Sequence, residues 1–224
     1  MPDKYTSMTP ALYHYLVAQR SERDPVMAAL ATATEDLGPV SLMQVAPEQG
    51  AFITLLARAI GARSGVEVGT FTGYSALCLA RGLADDGRLL CCDVSEEWTA
   101  IARRHWAQAG VAHKIDLRIA PALETLQALP QTPQFDIAFI DADKTTYRHY
   151  YEEILLRLRP NGLILFDNVL WMGEVLNDAT TDPSTRALRE LNQVLASDAR
   201  VETVMLAVSD GLTIVRKRRP GEPA

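Results

Sequence analysis

The 224-residue chain has only three cysteines, Cys78, Cys91 and Cys92, two of them adjacent in an apparent strand. An odd number so spaced is neither a disulfide framework nor a zinc site, and it fits a reducing, cytoplasmic setting. There is no excess of positive charge: Lys plus Arg is 22 and Asp plus Glu is 28, a net charge of −6. That argues against a nucleic-acid or membrane-surface protein, whose binding face is basic. The one basic run, Arg216 to Arg219, reads as part of a solvated tail. No apolar run reaches membrane-spanning length, and MPDKYTSMTP has no apolar core of a secretory signal. His14, His105, His113 and His149 show no metal-ligand spacing and read as surface or packing residues. Neither G-x-G-x-x-G nor G-x-x-x-x-G-K-[ST] occurs, which disfavours a dinucleotide-binding oxidoreductase and a phosphate-gripping loop.

Hydrophobic residues make up 48% and charged residues 22%, ordinary values for a globular protein with a sizeable core. A single domain over 1–224 is expected, with a helical N-terminal segment (1–45) and a disordered tail (219–224). Two short helices precede Pro39, with a breaker at Asp24-Pro25. In the segment from Pro47, Phe52, Leu55, Leu56, Ala59 and Ile60 recur at helical spacing up to Gly61. A strand–helix rhythm follows: GVEVGT (65–70), GRLLCCDV (87–94), IDLRIA (115–120), FDIAFIDA (135–142) and GLILFD (162–167) read as strands, each followed by a helix. Near-continuous apolar strands alternating with helices indicate a parallel sheet covered on both faces. VETVMLAV, the turn Ser209-Asp210-Gly211 and LTIVRK then read as a hairpin. The expected fold is α/β: a doubly wound, mostly parallel seven-stranded sheet with an antiparallel C-terminal strand.

In such sheets the site lies at the carboxyl ends of the strands. Those ends deliver Glu67 and Gly69, Asp93, Asp141, and the pair Asp167-Asn168. In the first loop, E-V-G-T-F-T-G-Y-S, Gly69 and Gly73 let the backbone approach a ligand closely. Asp93 stands where an acid takes a ribose diol. A nucleoside with ribose hydroxyls, no phosphate and positive charge suits Glu67 and Asp93, and S-adenosylmethionine is such a molecule. The plainer reading is a tight turn with Glu67 as a local acceptor and Asp93 at the start of the next helix. A second constellation is Asp141, Asp143 and Lys144 with Asp167 and Asn168. Three hard oxygen ligands without His or Cys suit Mg²⁺, Mn²⁺ or Ca²⁺. The alternative is an Asp167–Lys144 pair and no metal, which leaves Asp141 and Asn168 unexplained. Trp98 and Trp106, at i and i+8 of one helix, read as core. G-Y-S-A-L lacks the second glycine of a hydrolase elbow, so Ser75 is not read as a nucleophile.

Taken together, M-Q-V-A-P-E-Q-G, E-V-G-T-F-T-G-Y-S, C-D-V, A-P-A-L, F-I-D-A-D-K-x-x-Y and D-N-V-L-W-M-G closely resemble the cation-dependent class I O-methyltransferases of the caffeoyl-CoA and catechol type, including their bacterial members. The resemblance covers about Tyr13 to Arg218. It implies a Rossmann-like methyltransferase fold, a homodimer, and S-adenosylmethionine held by Val45, Glu67, Gly69, Thr70, Ser75, Asp93, Ala122 and Asp143. Ser75 would meet the cofactor's carboxylate, Asp93 its ribose and Ala122 its adenine. Asp141, Asp167 and Asn168 would bind the metal, with Lys144 and Asp141 forming the catalytic pair. Trp171 and Met172 would face the acceptor, beside the 1–45 segment. Plant caffeoyl-CoA enzymes carry Asn where this chain has Met172, and the segment before Met43 does not clearly match theirs. Both departures favour a free catechol over a CoA ester. The expected activity is Mg²⁺-dependent O-methylation of a small ortho-diphenol, with Lys144 taking the phenolic proton. Rival readings are a tRNA hydroxyuridine methyltransferase, an NAD-dependent oxidoreductase on the same sheet, and a catalytically silent cofactor-binding module.

Overall fold

The structure is a computed structural model that describes residues 6–20 and 24–223. Two short helices open it, α1 (Pro10–Ala18) and α2 (Pro25–Glu35). Asp24-Pro25 separates the two helices as expected, and it does so as the start of the second. Asp24 Oδ1 accepts the Val26 amide at 2.7 Å, and Pro25 occupies the first helical position, where no amide hydrogen is needed. Residues 21–23 lie outside the described residues.

A turn over Gly38–Met43 leads into α3 (Pro47–Ala59). The expected alternation follows: β1 (Ser64–Val68), α4 (Tyr74–Gly82), β2 (Arg88–Asp93), α5 (Glu96–Gln108), β3 (Ile115–Ile119), α6 (Ala122–Gln127), β4 (Phe135–Ile140), α7 (Tyr147–Arg157), β5 (Leu158–Asp167) and α8 (Pro183–Ser197), closed by β6 (Val201–Leu206) and β7 (Leu212–Lys217). The seven strands lie in the order β3-β2-β1-β4-β5-β7-β6. β7 runs antiparallel between β5 and β6, as a hairpin partner of one and a neighbour of the other. β5 begins at Leu158, four residues before the apolar run that marks it in the sequence. A register shift beside β4 and left-handed Asn161 (φ 68°) accommodate the polar start.

The two faces of the sheet bury separate apolar layers. One sets Leu89, Cys91 and Phe139 against α3, α4 and α5; the other sets Val66, Ile140 and Phe166 against α6, α7 and α8. β1 and β4 are adjacent, so the chain switches direction between them and leaves a crevice above their carboxyl ends. Register pairs Phe139 with Leu165 and Ile140 with Phe166, so Asp141 and Asp167 leave the sheet side by side.

The C-terminal segment departs from expectation. Residues 219–223 are not a disordered tail: Glu222 pairs with Arg216 and accepts the Arg219 amide at 2.9 Å. The basic run is structural as well. Lys217 Nζ caps the Leu155 and Leu158 carbonyls at 2.7 and 2.8 Å, and Arg218 Nε reaches Val201 O. Ala224 lies outside the described residues. No helix among the described residues is long and apolar enough to cross a membrane.

Candidate active site

A cavity of about 960 Å³ opens at the carboxyl ends of β1, β2, β4 and β5. That is the upper end of the range for small-molecule sites and has room for a nucleoside and a second small molecule. Val45, Gly69, Thr70, Ser75, Asp93, Ala122, Asp141, Asp143, Lys144, Asp167, Asn168, Trp171 and Met172 all line it. Glu67 and Gly73, also singled out in the sequence, do not line it.

Glu67 sits one residue pair deep in β1, between Cys91 and Phe139 of the neighbouring strands, and is fully buried. Burial pushes its carboxyl up to about 8. The nearby Ser75 and Thr70 hydroxyls oppose that shift, yet neither completes a hydrogen bond, and both carboxylate oxygens lack a partner. Thr70 Oγ1, on the cavity wall, is unpartnered too. Orphaned polar atoms are rare in folded proteins, and here they gather behind and along one wall.

The loop after β1 is held by Asp93. Its Oδ2 accepts the Thr70 and Phe71 amides, both at 2.8 Å, and its Oδ1 accepts the Ser95 amide at 2.8 Å. Each carboxylate oxygen has two lone pairs, so Oδ1 keeps capacity for one further donor such as a ribose hydroxyl. Asp93 builds the turn and also faces the cavity, so its two readings from the sequence do not exclude each other. The glycines serve packing more than ligand approach. A Cβ on Gly69 (φ +87°) would lie 2.0 Å from the Asp141 carbonyl, and one on Gly73 would lie 2.5 Å from Ala102 Cβ. These glycines let β1 approach β4, and α4 approach α5. Gly73 caps α4 in a left-handed conformation without a side-chain cap, so the helix N-terminus with Ser75 faces the cavity as an anion-binding end.

The opposite wall carries the second constellation. Lys144 Nζ donates to Asp141 Oδ1 at 2.9 Å and Asn168 Oδ1 at 2.8 Å, and lies 2.6 Å from the Tyr147 hydroxyl. Three acceptors match the three hydrogens of an ammonium. Tyr147 OH passes the connection on to the Asp167 carbonyl at 3.2 Å. Lys144 thus pairs with Asp141, and the Asp167–Lys144 pair considered from the sequence is not what forms. Asp167 is buried, and its Oδ1 accepts only the amide of Asn168, at 2.7 Å. Burial and the adjacent Asp141 charge push its carboxyl up to about 7, eased by the Gln49 amide, the Asn168 amide and Lys144. Tyr150 OH donates to Asp143 Oδ1 at 2.8 Å and orients that residue at the rim.

Among the described residues, no three His, Cys, Asp or Glu side chains form a metal cluster. The set is two carboxylates and an amide, and it still fits a hard divalent cation. All its donors are oxygens, Asp167 is short of counter-charge, and the ammonium of Lys144 already stands between Asp141 and Asn168 as a cation would. The chain after β5 is strained around this point: Asn168, Trp171 and Met172 have φ of 56°, 50° and 51°. Left-handed residues other than glycine cost about 1–3 kcal/mol each and concentrate at functional sites. The hairpin turn supports them, with Asp210 Oδ1 accepting the Met172 amide at 2.6 Å. Trp171 faces Lys144, its ring centroid 5.7 Å from Nζ, whereas Met172 is 89% exposed at the cavity rim.

Several lining residues escaped the sequence reading. Trp98 is not core: it is half-buried, lines the cavity and stacks edge-on against Phe71, with centroids 5.1 Å apart. Its place in the first turn after β2 was the signal available. Trp106 is core, donating to the Gly73 carbonyl at 3.1 Å. Gln49, Ser209 and Asp210 line it too, and Tyr147 stands behind Lys144; in the sequence they were motif or turn letters without a site role, because their positions depend on how distant elements meet.

The chain matches the O-methyltransferase family over residues 18–218. It is 41% identical over 189 residues to caffeoyl-CoA O-methyltransferase 2 of Zea mays, covering 80% of this chain and 72% of that protein. It is 39% identical over 209 residues to catechol O-methyltransferase domain-containing protein 1 of Mus musculus, covering 92% and 79%. Among solved structures, the O-methyltransferase of Bacillus cereus in complex with SAH superposes with a TM-score of 0.85 at 31% identity, covering 93% and 97%.

Proposed function

The chain belongs to the O-methyltransferase family, and we propose that it transfers the methyl group of S-adenosylmethionine to one hydroxyl of a small ortho-diphenol, assisted by a divalent cation. The observation that carries this reading is the meeting of two unlike walls in one cavity. One wall is a nucleoside-type loop with an open helix N-terminus; the other is a cluster of hard oxygens with a lysine. The family assignment leaves the oxidoreductase reading without support.

In this reading the Ser75 end of α4 receives the cofactor's carboxylate, and the spare lone pair of Asp93 Oδ1 receives a ribose hydroxyl. Ala122, Phe71 and Trp98 flank the base. Asp141, Asp167 and Asn168 would hold the cation, for which Mg²⁺ is the first choice. A free phenol is only about 0.1% ionised at pH 7, and a cation held there would supply the positive charge that stabilises the phenolate. Lys144 touches the side-chain oxygens of Asp141 and Asn168, and as the neutral amine, after one ammonium hydrogen has passed to solvent, it would take the phenolic proton. Tyr147 fixes the amine from behind. Holding both reactants against opposite walls supplies much of the remaining acceleration.

With three protein oxygens from Asp141, Asp167 and Asn168, a hard divalent cation would still have room for two adjacent acceptor hydroxyls. Methyl transfer should therefore be measured for catechol, caffeate, their single-hydroxyl analogues, a CoA ester and tRNA, with and without EDTA. The ortho-diphenols are expected to react, the single-hydroxyl compounds hardly at all, and EDTA to abolish turnover. Equal rates for one and two hydroxyls, or a rate indifferent to EDTA, would refute the reading.

A further inference from the structure

The chain that follows β5 walls the cavity in a backbone conformation it would not hold alone. Trp171, Met172 and Gly173 follow one another with φ of 50°, 51° and 87°, and for bulky side chains like the first two the left-handed region is a marked outlier. These angles turn Trp171 inward, packed on the layer beneath α6, α7 and α8 with its ring centroid 5.7 Å from Lys144 Nζ, and leave Met172 at the rim. A strained stretch persists only where its surroundings over-determine it. Here both ends are tied to the fold. Asn192 Nδ2 of α8 donates to the Val169 carbonyl at 3.0 Å, the Val169 amide donates to the Gly211 carbonyl at 3.2 Å, and Arg189 Nε of α8 donates to the Val175 carbonyl at 2.6 Å. The middle is tied by Asp210 of the β6–β7 turn. Its backbone carbonyl accepts the Leu170 amide at 3.0 Å and its Oδ1 accepts the Met172 amide at 2.6 Å. Gly211 lets the turn come that close: a Cβ there would lie 2.5 Å from Leu170 Cγ and 3.0 Å from the Leu170 amide nitrogen.

We propose that Asp210 is a positioning residue for the acceptor: by holding the Met172 amide, its carboxylate fixes the turn that keeps the Trp171 ring beside Lys144, and so decides which of two adjacent hydroxyls meets the methyl group. Lys144 marks the place the acceptor oxygen must reach, since it touches the side-chain oxygens of Asp141 and Asn168 together. Trp171 lines the cavity beside that place, so an aromatic acceptor that reaches Lys144 lies along the Trp171 ring. An ortho-diphenol with one substituent can enter in two ways that exchange its hydroxyls. A wall that favours one of them sets the ratio of the two products. The bond at Met172 is made by a side chain, whereas those the turn makes to Val169 and Leu170 use its backbone. One substitution can therefore loosen Trp171 and Met172 while Asn168 stays anchored. A carboxylate suits the place because a charge-assisted bond is stronger than a neutral one.

This inference rests on the methyl-transfer reading above, and the test tells the two apart. An unsymmetrical ortho-diphenol, caffeate first, is methylated by wild type, Asp210→Ala and Asp210→Asn. The two O-methyl products are separated by chromatography, and SAH affinity is measured by calorimetry. Losing one charge-assisted bond corresponds to about ten- to a hundred-fold in the equilibrium it governs. Asp210→Ala should therefore raise the acceptor KM by about tenfold, move the product ratio toward one, and leave SAH affinity within about twofold of wild type. Asn keeps an oxygen acceptor for the Met172 amide, so Asp210→Asn should retain most of the wild-type ratio. If Asp210→Ala does not fold, Asp210→Glu, one methylene longer, displaces the same bond and should shift the ratio in the same direction. Exchange of the Met172 amide hydrogen, followed by NMR without acceptor, should quicken about ten- to a hundred-fold in Asp210→Ala. A wild-type KM and product ratio in Asp210→Ala overturn the inference and leave the methyl-transfer reading standing. The same holds for an Asp210→Asn enzyme as impaired as Asp210→Ala, for SAH affinity that falls in step with KM, and for an even product mixture from wild type. A wild-type enzyme that methylates no ortho-diphenol overturns both readings.

Discussion

The ammonium of Lys144 lies 2.8 Å from the side-chain oxygen of Asn168, bridging the gap between the ends of β4 and β5. The same nitrogen reaches Asp141 at 2.9 Å, so one lysine ties together two oxygens that the cation reading assigns to a metal. In the proposed reaction a residue so placed has two roles, proton carrier and stand-in for positive charge. Lys144→Met should separate these roles. Turnover should fall by about 10²–10⁴, the usual loss when a general base is removed. SAH affinity should hold, and Mn²⁺ affinity should not fall, because a competing cation has gone. Initial rates at saturating acceptor, with calorimetry for the two ligands, check this; near-normal turnover would show that the acceptor ionises without the lysine.

Two buried carboxyls make the ligand-free protein sensitive to pH. Glu67 is pushed up to about 8 and Asp167 to about 7 in the folded state. An acid whose folded value is raised binds more protons folded than unfolded between its two values, so stability falls as pH rises through that window. For Glu67 the window runs from about 4.5 to 8, and for Asp167 from about 3.8 to 7. Each unit corresponds to about 1.4 kcal/mol, so the loss is on the order of 4–5 kcal/mol for each group as an upper bound. Glu67→Gln and Asp167→Asn should each melt higher than wild type at pH 8.5 without ligands, with the advantage vanishing near pH 4. Thermal melts across pH in EDTA give the answer; parallel curves for wild type and both variants would refute it.

Most of the fold was legible because apolar strands and capped helices alternate at full length, and the topological rule then turned strand ends into a site. Asp141 and Asp167 could be placed side by side because parallel neighbours share a register. What stayed hidden depended on contacts between elements far apart in sequence. Trp98 and Trp106 share a helical spacing, but only Trp106 lies beneath α4, and only the folded turn at Phe71 draws Trp98 to the cavity. The packing roles of Gly69 and Gly73 stayed hidden for a similar reason. A glycine in a loop reports close approach without naming the approaching atom, and here that atom belongs to the protein. The tail was misread because Glu222 finds Arg216 only after β7 is seated in the sheet.

Asp93 should prove structural and functional at once. Asp93→Ala removes the acceptor of three backbone amides, those of Thr70, Phe71 and Ser95. Charge-assisted bonds of this kind are worth about 1.5–3 kcal/mol each, and loop relaxation recovers part of that. SAH affinity is expected to drop by about 10–100-fold, together with a lower melting temperature. Asp93→Asn keeps one oxygen acceptor and should fall between the two. Calorimetry that shows wild-type SAH affinity in Asp93→Ala would remove Asp93 from the cofactor site.

Gly69 offers the cleanest test of how the two walls are joined. It has a φ of +87°, and a Cβ there would lie 2.0 Å from the Asp141 carbonyl, a backbone atom that cannot swing aside. Gly61 has a φ of +63° with nothing within 4 Å of its would-be Cβ. Alanine at Gly61 therefore incurs only the left-handed backbone cost, about 1–2 kcal/mol. Alanine at Gly69 adds displacement of β4 from β1 at the switch point and should reach about 3 kcal/mol or more, roughly 6–12 °C in Tm for a chain of this size. The displacement moves Asp141 and with it Lys144, so turnover should fall further than SAH affinity in Gly69→Ala and stay near wild type in Gly61→Ala. If both substitutions lower the melting temperature equally and leave turnover alone, the contact between Gly69 and Asp141 does not set the geometry of the site.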